Sequence, residues 1–125
     1  MQWQNVCNVS DLERFSGVCA LVNGLQVAIF YLPELPLGVY AISNYDPIGK
    51  ADVLSRGIVG DLQGQTVVAS PLYKQHFNLE TGGCLEDESV SVPVYACRIK
   101  DDKVQVDTRV IAPLRQMVEL SYAAV

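Results

Sequence analysis

Ser70-Pro71-Leu72-Tyr73-Lys74-Gln75-His76-Phe77-Asn78-Leu79 is the stretch on which the reading of this 125-residue chain turns. The run before it, Gln65-Thr66-Val67-Val68-Ala69, is rich in β-branched side chains and reads as a strand that feeds straight into it. Pro71 has no N–H to give to a sheet ladder, so the strand stops and a loop begins. Phe77-Asn78-Leu79 reads as a brief return strand, and Thr81-Gly82-Gly83 turns the chain again. The loop carries His76, the only histidine of the chain. A second polar loop, Asn44-Tyr45-Asp46, follows a strand-like run at 38–43 and is closed by Pro47 and Gly49.

Outward from these loops the chain is a series of short strands. Residues 18–22 and 25–31 flank Asn23-Gly24, a strong two-residue hairpin signal, and residues 94–100 and 103–107 flank Asp101-Asp102 in the same way. Pro33 and Pro36 mark a loop. Residues 51–56 read as a short strand or a turn, 57–64 have the glycine spacing of tight turns, and 84–88 form an acidic connector. The early helical candidate is a single turn over 11–14, capped by Ser10 with Glu13 as its box partner. The pattern predicts an all-β domain over 1–107, a small antiparallel β-sandwich or barrel. Residues 108–125 form a C-terminal tail. It reads either as a frayed end or as a short helix starting near Pro113, with Leu114, Val118 and Met117 on one face able to dock on a neighbour.

Composition narrows the function classes. Fourteen acidic against nine basic side chains give a net charge of -5, with no basic cluster for nucleic acid or an anionic membrane surface. The start has neither the basic nor the apolar segment of a signal peptide, and no apolar run reaches membrane-spanning length, so a cytoplasmic location is expected. Cys7, Cys19, Cys84 and Cys97 are scattered without a C-x-x-C pair and read as thiols, with Cys19 and Cys97 as small buried hydrophobes. A lone His76 next to Phe77 does not build a nucleophile–base pair, and no glycine fingerprint for a dinucleotide follows a strand. No catalytic, cofactor-binding or metal-binding residue is therefore assigned.

The loop at 70–82 resembles the second cluster-binding loop of a Rieske-type ferredoxin. Pro71, Phe77, Leu79, Thr81 and Gly82 fit that frame, whereas Ser70 stands at a cysteine position, Tyr73 at a histidine position and Lys74 at a glycine position. In the first loop Asn44 takes the cysteine place and Asp46 the histidine place. A Rieske cluster needs two thiolates and two imidazoles, and Ser, Tyr, Asn and Asp supply neither. The resemblance implies a Rieske-like [2Fe-2S] ferredoxin fold without its iron, and we expect a hydrogen-bonded plug in which Ser70 and Tyr73 donate across the gap to Asn44 and Asp46.

Three stretches, 41–47, 53–57 and 68–77, together with the acidic 84–88, are similar to the small subunits of assimilatory NAD(P)H-dependent nitrite reductase. That resemblance implies an accessory role. A large subunit carrying sirohaem, a [4Fe-4S] cluster and FAD would reduce nitrite to ammonia with NAD(P)H, and this chain would bind no cofactor of its own. The interface is expected around the former cluster tip, at Lys50, Arg56, Lys74, Gln75 and His76, with Arg56 alternatively paired to Asp46 or Asp52. The competing expectation is a Rieske-like interaction module of another oxidoreductase or a regulatory complex.

Overall fold

In the computed structural model, which describes residues 2–111, two tight turns set the main sheet. Asn23 and Gly24 both take positive φ (50° and 79°), as do Asp101 and Asp102 (53° and 62°). This backbone matches the twist of a two-residue hairpin. The first turn joins β2 (Gly17–Val22) to β3 (Leu25–Leu32), and the second joins β10 (Val94–Lys100) to β11 (Lys103–Ile111). β4 (Gly38–Ser43) bridges the two hairpins by pairing with β3 and β10, and β1 (Trp3–Asn8) pairs with β11. The result is an antiparallel six-stranded sheet in the order β1-β11-β10-β4-β3-β2, whose edge strands β1 and β2 approach each other as in a nearly closed barrel.

A second layer holds the two loops. β5 (Tyr45–Asp46) pairs with β6 (Ala51–Asp52), and β7 (Ile58–Leu62), β8 (Gln65–Ala69) and β9 (His76–Asn78) form a three-stranded sheet. Strand alternation divides the core between the layers. Val27, Ile29, Val39 and Ala41 pack with Tyr95, Val104 and Val106 inside the barrel. The intervening Ala28, Phe30, Leu32, Tyr40 and Ile42 pack on the opposite face against Leu54, Val68, Phe77 and Leu79 of the loop layer. Burying Phe30 and Phe77 fully contributes about 1.5–3 kcal/mol each, which fastens the loops to the sheet.

The all-β architecture is as expected, and four details differ. β1 is a strand held by pairing with β11 roughly a hundred residues away, a contact its own sequence does not announce. The glycine-spaced stretch 57–64 contains β7, closed by a Gln63-Gly64 turn of positive φ. The early turn is a 3-10 helix, Val9–Asp11, with Asn8 rather than Ser10 at its N-cap, and the Asn8 N–H donates to Asp11 Oδ2 at 3.1 Å. Cys19 is exposed rather than buried, because it lies on the face of β2 opposite the barrel core. The four cysteines are free thiols. β11 runs beyond residue 107 to Ile111, and the helix expected from Pro113 lies outside the described residues. Among the described residues no helix is long and apolar enough to cross a membrane.

Asp107 ties the start of β1 to β11. It accepts from the Gln2 N–H at 3.3 Å and from the Arg109 backbone N–H at 3.0 Å, and its second oxygen meets the Arg109 guanidinium at 3.1 Å. The side-chain and backbone hydrogen bonds from Arg109 hold its carboxyl down to about 2, below the ordinary 3.8. A depressed carboxyl stabilises the fold in full above its unfolded value and loses that contribution as the pH falls through the folded one. Urea unfolding between about pH 5 and pH 2 should therefore show a loss of stability that is smaller in Asp107→Asn. Equal pH slopes for the two proteins would exclude this role.

Candidate functional site

The two loops meet at a buried hydrogen bond. Ser70, at the end of β8, donates from Oγ to Asp46 Oδ2 at 2.5 Å, and both residues are fully buried. Each side of the contact is set by local backbone. The other Asp46 oxygen accepts from the N–H groups of Ile48 (2.8 Å) and Gly49 (3.0 Å), so the carboxylate organises its own turn. On the opposite side Lys74 N–H donates to the Ser70 carbonyl and Ser70 N–H to the Gln75 carbonyl, which closes the loop under the hydroxyl. Leu72 seals the junction. A Cβ added at Gly49 would lie 2.4 Å from Leu72 Cδ1 and 3.0 Å from Asp46 Oδ2, so no larger residue fits there without movement.

Asn44 is buried too, but it faces away from this junction. Its amide donates to Gln26 Oε1 (3.0 Å), the Asp52 carbonyl (3.1 Å) and Cys19 Sγ (3.6 Å), and its oxygen accepts the Ser55 N–H at 2.7 Å. Its backbone receives Leu54 N–H and gives its own N–H to Gln26. Asn44 therefore anchors the first loop to the β2–β3 hairpin. Tyr73 is 67 % exposed and bonds to neither Asn44 nor Asp46. The expected four-residue plug is thus a two-residue latch, Asp46–Ser70, with Asn44 serving a separate anchor. Nothing in the spacing of the motif distinguishes these roles, since they depend on which way each side chain turns.

The remaining candidates also separate. Lys50, Arg56 and Lys74 are exposed and make no ion pair among the described residues, so Arg56 pairs with neither Asp46 nor Asp52. Lys50 and Lys74 both hold left-handed backbone, at φ 58° and 63°. Leu72 (44 % exposed) and Tyr73 precede Lys74 in the second loop, and Tyr45 (43 %) precedes Lys50 in the first. Gln75 is half-buried, with Oε1 lacking a hydrogen-bond partner. His76 is turned sideways: its ring Nδ1 lies 2.6 Å from Glu86 Oε2, and its N–H donates to Glu86 Oε1 at 2.7 Å. Desolvation raises the Glu86 pKa, but the His76 backbone and ring hydrogen bonds and the His76 charge outweigh it and hold that carboxyl below its ordinary value. Glu86, Leu72 and Gln26 were not singled out from sequence, and Gly49 only as closing its loop. Glu86 sits in the acidic connector noted there, which was the available signal.

The donor set does not suit a [2Fe-2S] cluster. The four positions offer hydroxyl, carboxylate and amide groups in place of thiolates and imidazoles. The direct Ser70–Asp46 bond also joins the two sides that a cluster would have to separate. Among the described residues no three His, Cys, Asp or Glu side chains converge in the manner of a metal site.

The family model of the Rieske-like [2Fe-2S] domain matches residues 2–107. The chain belongs to the Rieske-like domain family. It is 52 % identical over 105 residues to the NADH nitrite reductase small subunit of Salmonella typhimurium, covering 84 % of this chain and 96 % of that one. The solution structure of Escherichia coli NirD superposes with a TM-score of 0.76 at 48 % identity, covering 84 % of this chain and 94 % of that one. A stretch of the Klebsiella oxytoca nitrite reductase [NAD(P)H] large subunit is 34 % identical over 104 residues, which is 83 % of this chain and 11 % of that protein. The chain is a homologue of the NADH-dependent nitrite reductase small subunit with a Rieske-like fold.

Within this small-subunit homologue the latch and the tip respond differently to substitution. Ser70→Ala leaves the buried Asp46 Oδ2 without its donor and should cost about 1–3 kcal/mol. Tyr73→Phe should change stability by less than about 0.5 kcal/mol, as expected of an exposed, unbonded hydroxyl. Chemical unfolding of both variants decides the assignment. A neutral Ser70→Ala or a costly Tyr73→Phe would contradict it.

Proposed function

We propose that this chain is the accessory small subunit of an assimilatory NAD(P)H-dependent nitrite reductase of the cytoplasm, which reduces nitrite to ammonia. Its partner is the large subunit, which carries sirohaem, a [4Fe-4S] cluster and FAD and performs the redox chemistry. The observation that carries this reading is that a homologous domain lies within a Klebsiella large subunit. A domain whose homologue is built into the large polypeptide of that organism is suited to the same assembly. The latch supports an accessory role, because a junction closed by a carboxylate and a hydroxyl offers no site for an electron.

The contact surface in this reading is the tip formed by the exposed Tyr45, Leu72, Tyr73, Lys50 and Lys74, with Arg56 as a further exposed cation. Aromatic and aliphatic groups ringed by cations form a common kind of interface anchor. Lys74 supports this in particular. It stands where the Rieske pattern has glycine and keeps left-handed backbone, a conformation that costs an L-residue roughly 1–2 kcal/mol. A lysine kept at such a position is explained by what its ammonium meets.

Lys74→Gly separates the two roles. The substitution suits the backbone and should alter the stability of the isolated chain by no more than about 1 kcal/mol. It should nevertheless weaken co-purification with the large subunit and lower nitrite-dependent NADH oxidation of the assembled complex, and Lys74→Glu should do so more strongly. Wild-type assembly and activity in both variants would remove the tip from the interface. Failure of the wild-type chain to co-purify with the large subunit would remove the subunit reading itself.

A further inference from the structure

β7 ends the three-stranded sheet, with β8 as its one strand partner among the described residues. The two-residue turn Gln63-Gly64 fixes which of its backbone groups face β8. Leu62↔Gln65 closes that turn as a hydrogen-bonded pair, and in an antiparallel ladder such pairs alternate with open ones. Gly60↔Val67 and Ile58↔Ala69 are therefore hydrogen-bonded as well, and the N–H and C=O groups of Val59 and Asp61 point out from the sheet edge. No turn or loop backbone hydrogen bond among the described residues engages them. Edge strands are commonly blunted by lysine, proline or a bulge, and β7 has none of these. It carries Ile58 instead, 77 % exposed, on the same face as Gly60 and Leu62.

The strand is complementary to itself. Laid antiparallel on a second copy with Gly60 opposite Gly60, Val59 of each chain meets Asp61 of the other, and each such pair exchanges both N–H···O bonds. Ile58 of each copy then faces Leu62 of the other, an apolar cross-strand pair at either end. The Gly60 pair lies on the two-fold axis, where the Cα atoms approach to about 4.5 Å. The space there is open, since a Cβ at Gly60 would meet nothing within 4 Å. The charges agree with this direction. Arg56 stands just before β7 and Asp61 near its end, both exposed and without an ion pair among the described residues. Antiparallel pairing brings each Arg56 to the strand end where the other copy's Asp61 lies, whereas a parallel pairing would set like charges together.

The geometry points to β7 as a homodimerisation edge: two copies join through β7 in an isologous pair centred on Gly60, so that their small sheets run on as one. The pairing uses neither Lys50 nor Lys74, so it holds whether or not the chain docks on a large subunit. One short strand per copy buries less than the roughly 1,600 Å² of a standard interface, so the pair is weak and reversible and is populated at high protein concentration.

Sedimentation equilibrium of the full chain from micromolar to millimolar concentration should show a reversible monomer–dimer equilibrium. Ile58→Lys should weaken it at least about tenfold. Arg56→Glu should weaken it too, and Arg56→Glu combined with Asp61→Arg should restore it. Under mild oxidation Gly60→Cys should give a dimer linked through the two substituted positions, because their Cα spacing falls within the roughly 4.4–6.8 Å that a disulfide spans. Three results would overturn the proposal: a chain that stays monomeric at millimolar concentration, a dimer indifferent to both Ile58→Lys and the charge changes, or oxidation that links the substituted positions no faster than the exposed Cys19. If Ile58→Lys does not fold, the charge reversal and its rescue carry the test alone.

Discussion

The bond from Ser70 Oγ to Asp46 Oδ2 is the constraint on which the loop layer depends. A buried carboxylate is costly unless hydrogen-bonded, and Asp46 meets that demand from both loops at once: two backbone donors within its own turn and one hydroxyl from across the junction. Residues 44–49 therefore take their shape from the same side chain that fixes their distance to residue 70. Close packing then follows. Leu72 lies where any Cβ at Gly49 would have to be, and Phe77 and Leu79, a few residues further on, enter the core shared with Phe30 and Ile42. Breaking the latch would loosen two loops and leave the buried Asp46 Oδ2 without its hydroxyl donor.

In this arrangement the residues that make the loop layer rigid differ from those of the proposed docking tip. The latch, Asn44 and the pair His76–Glu86 use polar atoms internally and so fix the shape of the loop layer. Lys50 and Lys74 are held outward by left-handed backbone, each beginning or ending a loop whose other end is pinned. Lys50 N–H bonds the Asp46 carbonyl and Lys74 N–H bonds the Ser70 carbonyl. The backbones that carry the two ammonium groups are thus fixed by the same two residues that close the latch, which in the proposed assembly would limit the conformational entropy lost on binding.

Much of the sheet was legible because its signals are local. Asn23-Gly24 and Asp101-Asp102 each demand positive φ at consecutive positions, and the flanking residues are strands as read. β1 was not legible, since Trp3–Asn8 lacks clean alternation and becomes a strand only by pairing with the far end of the chain. β7 was hidden by Gly60, a residue that reads as a turn yet sits mid-strand with nothing near its Cβ position. At the site, the motif frame identified Asp46 and Ser70 but assigned Tyr73 and Asn44 to the same junction. A ligand pattern records where side chains converge on a metal. With a direct bond between the two loops at that point, Tyr73 lies at the surface and Asn44 serves the hairpin instead.

The persistence of the loop frame without ligand chemistry has a physical basis in the backbone. Gly82 has φ 78°, and a Cβ there would lie 2.1 Å from the Val92 carbonyl oxygen, so the turn after β9 admits only glycine whether or not iron is present. Lys74 shows the complementary case, because its left-handed conformation is retained with a side chain that does not favour it. The first position is held by packing within this domain. The second is not, since the Lys74 side chain is exposed and unpaired among the described residues and nothing around it requires a charge. Of the residues that depart from the Rieske pattern, Asp46 and Ser70 are therefore accounted for by the chain's own stability, whereas Lys74 is accounted for only in the proposed assembly, by the partner it would meet.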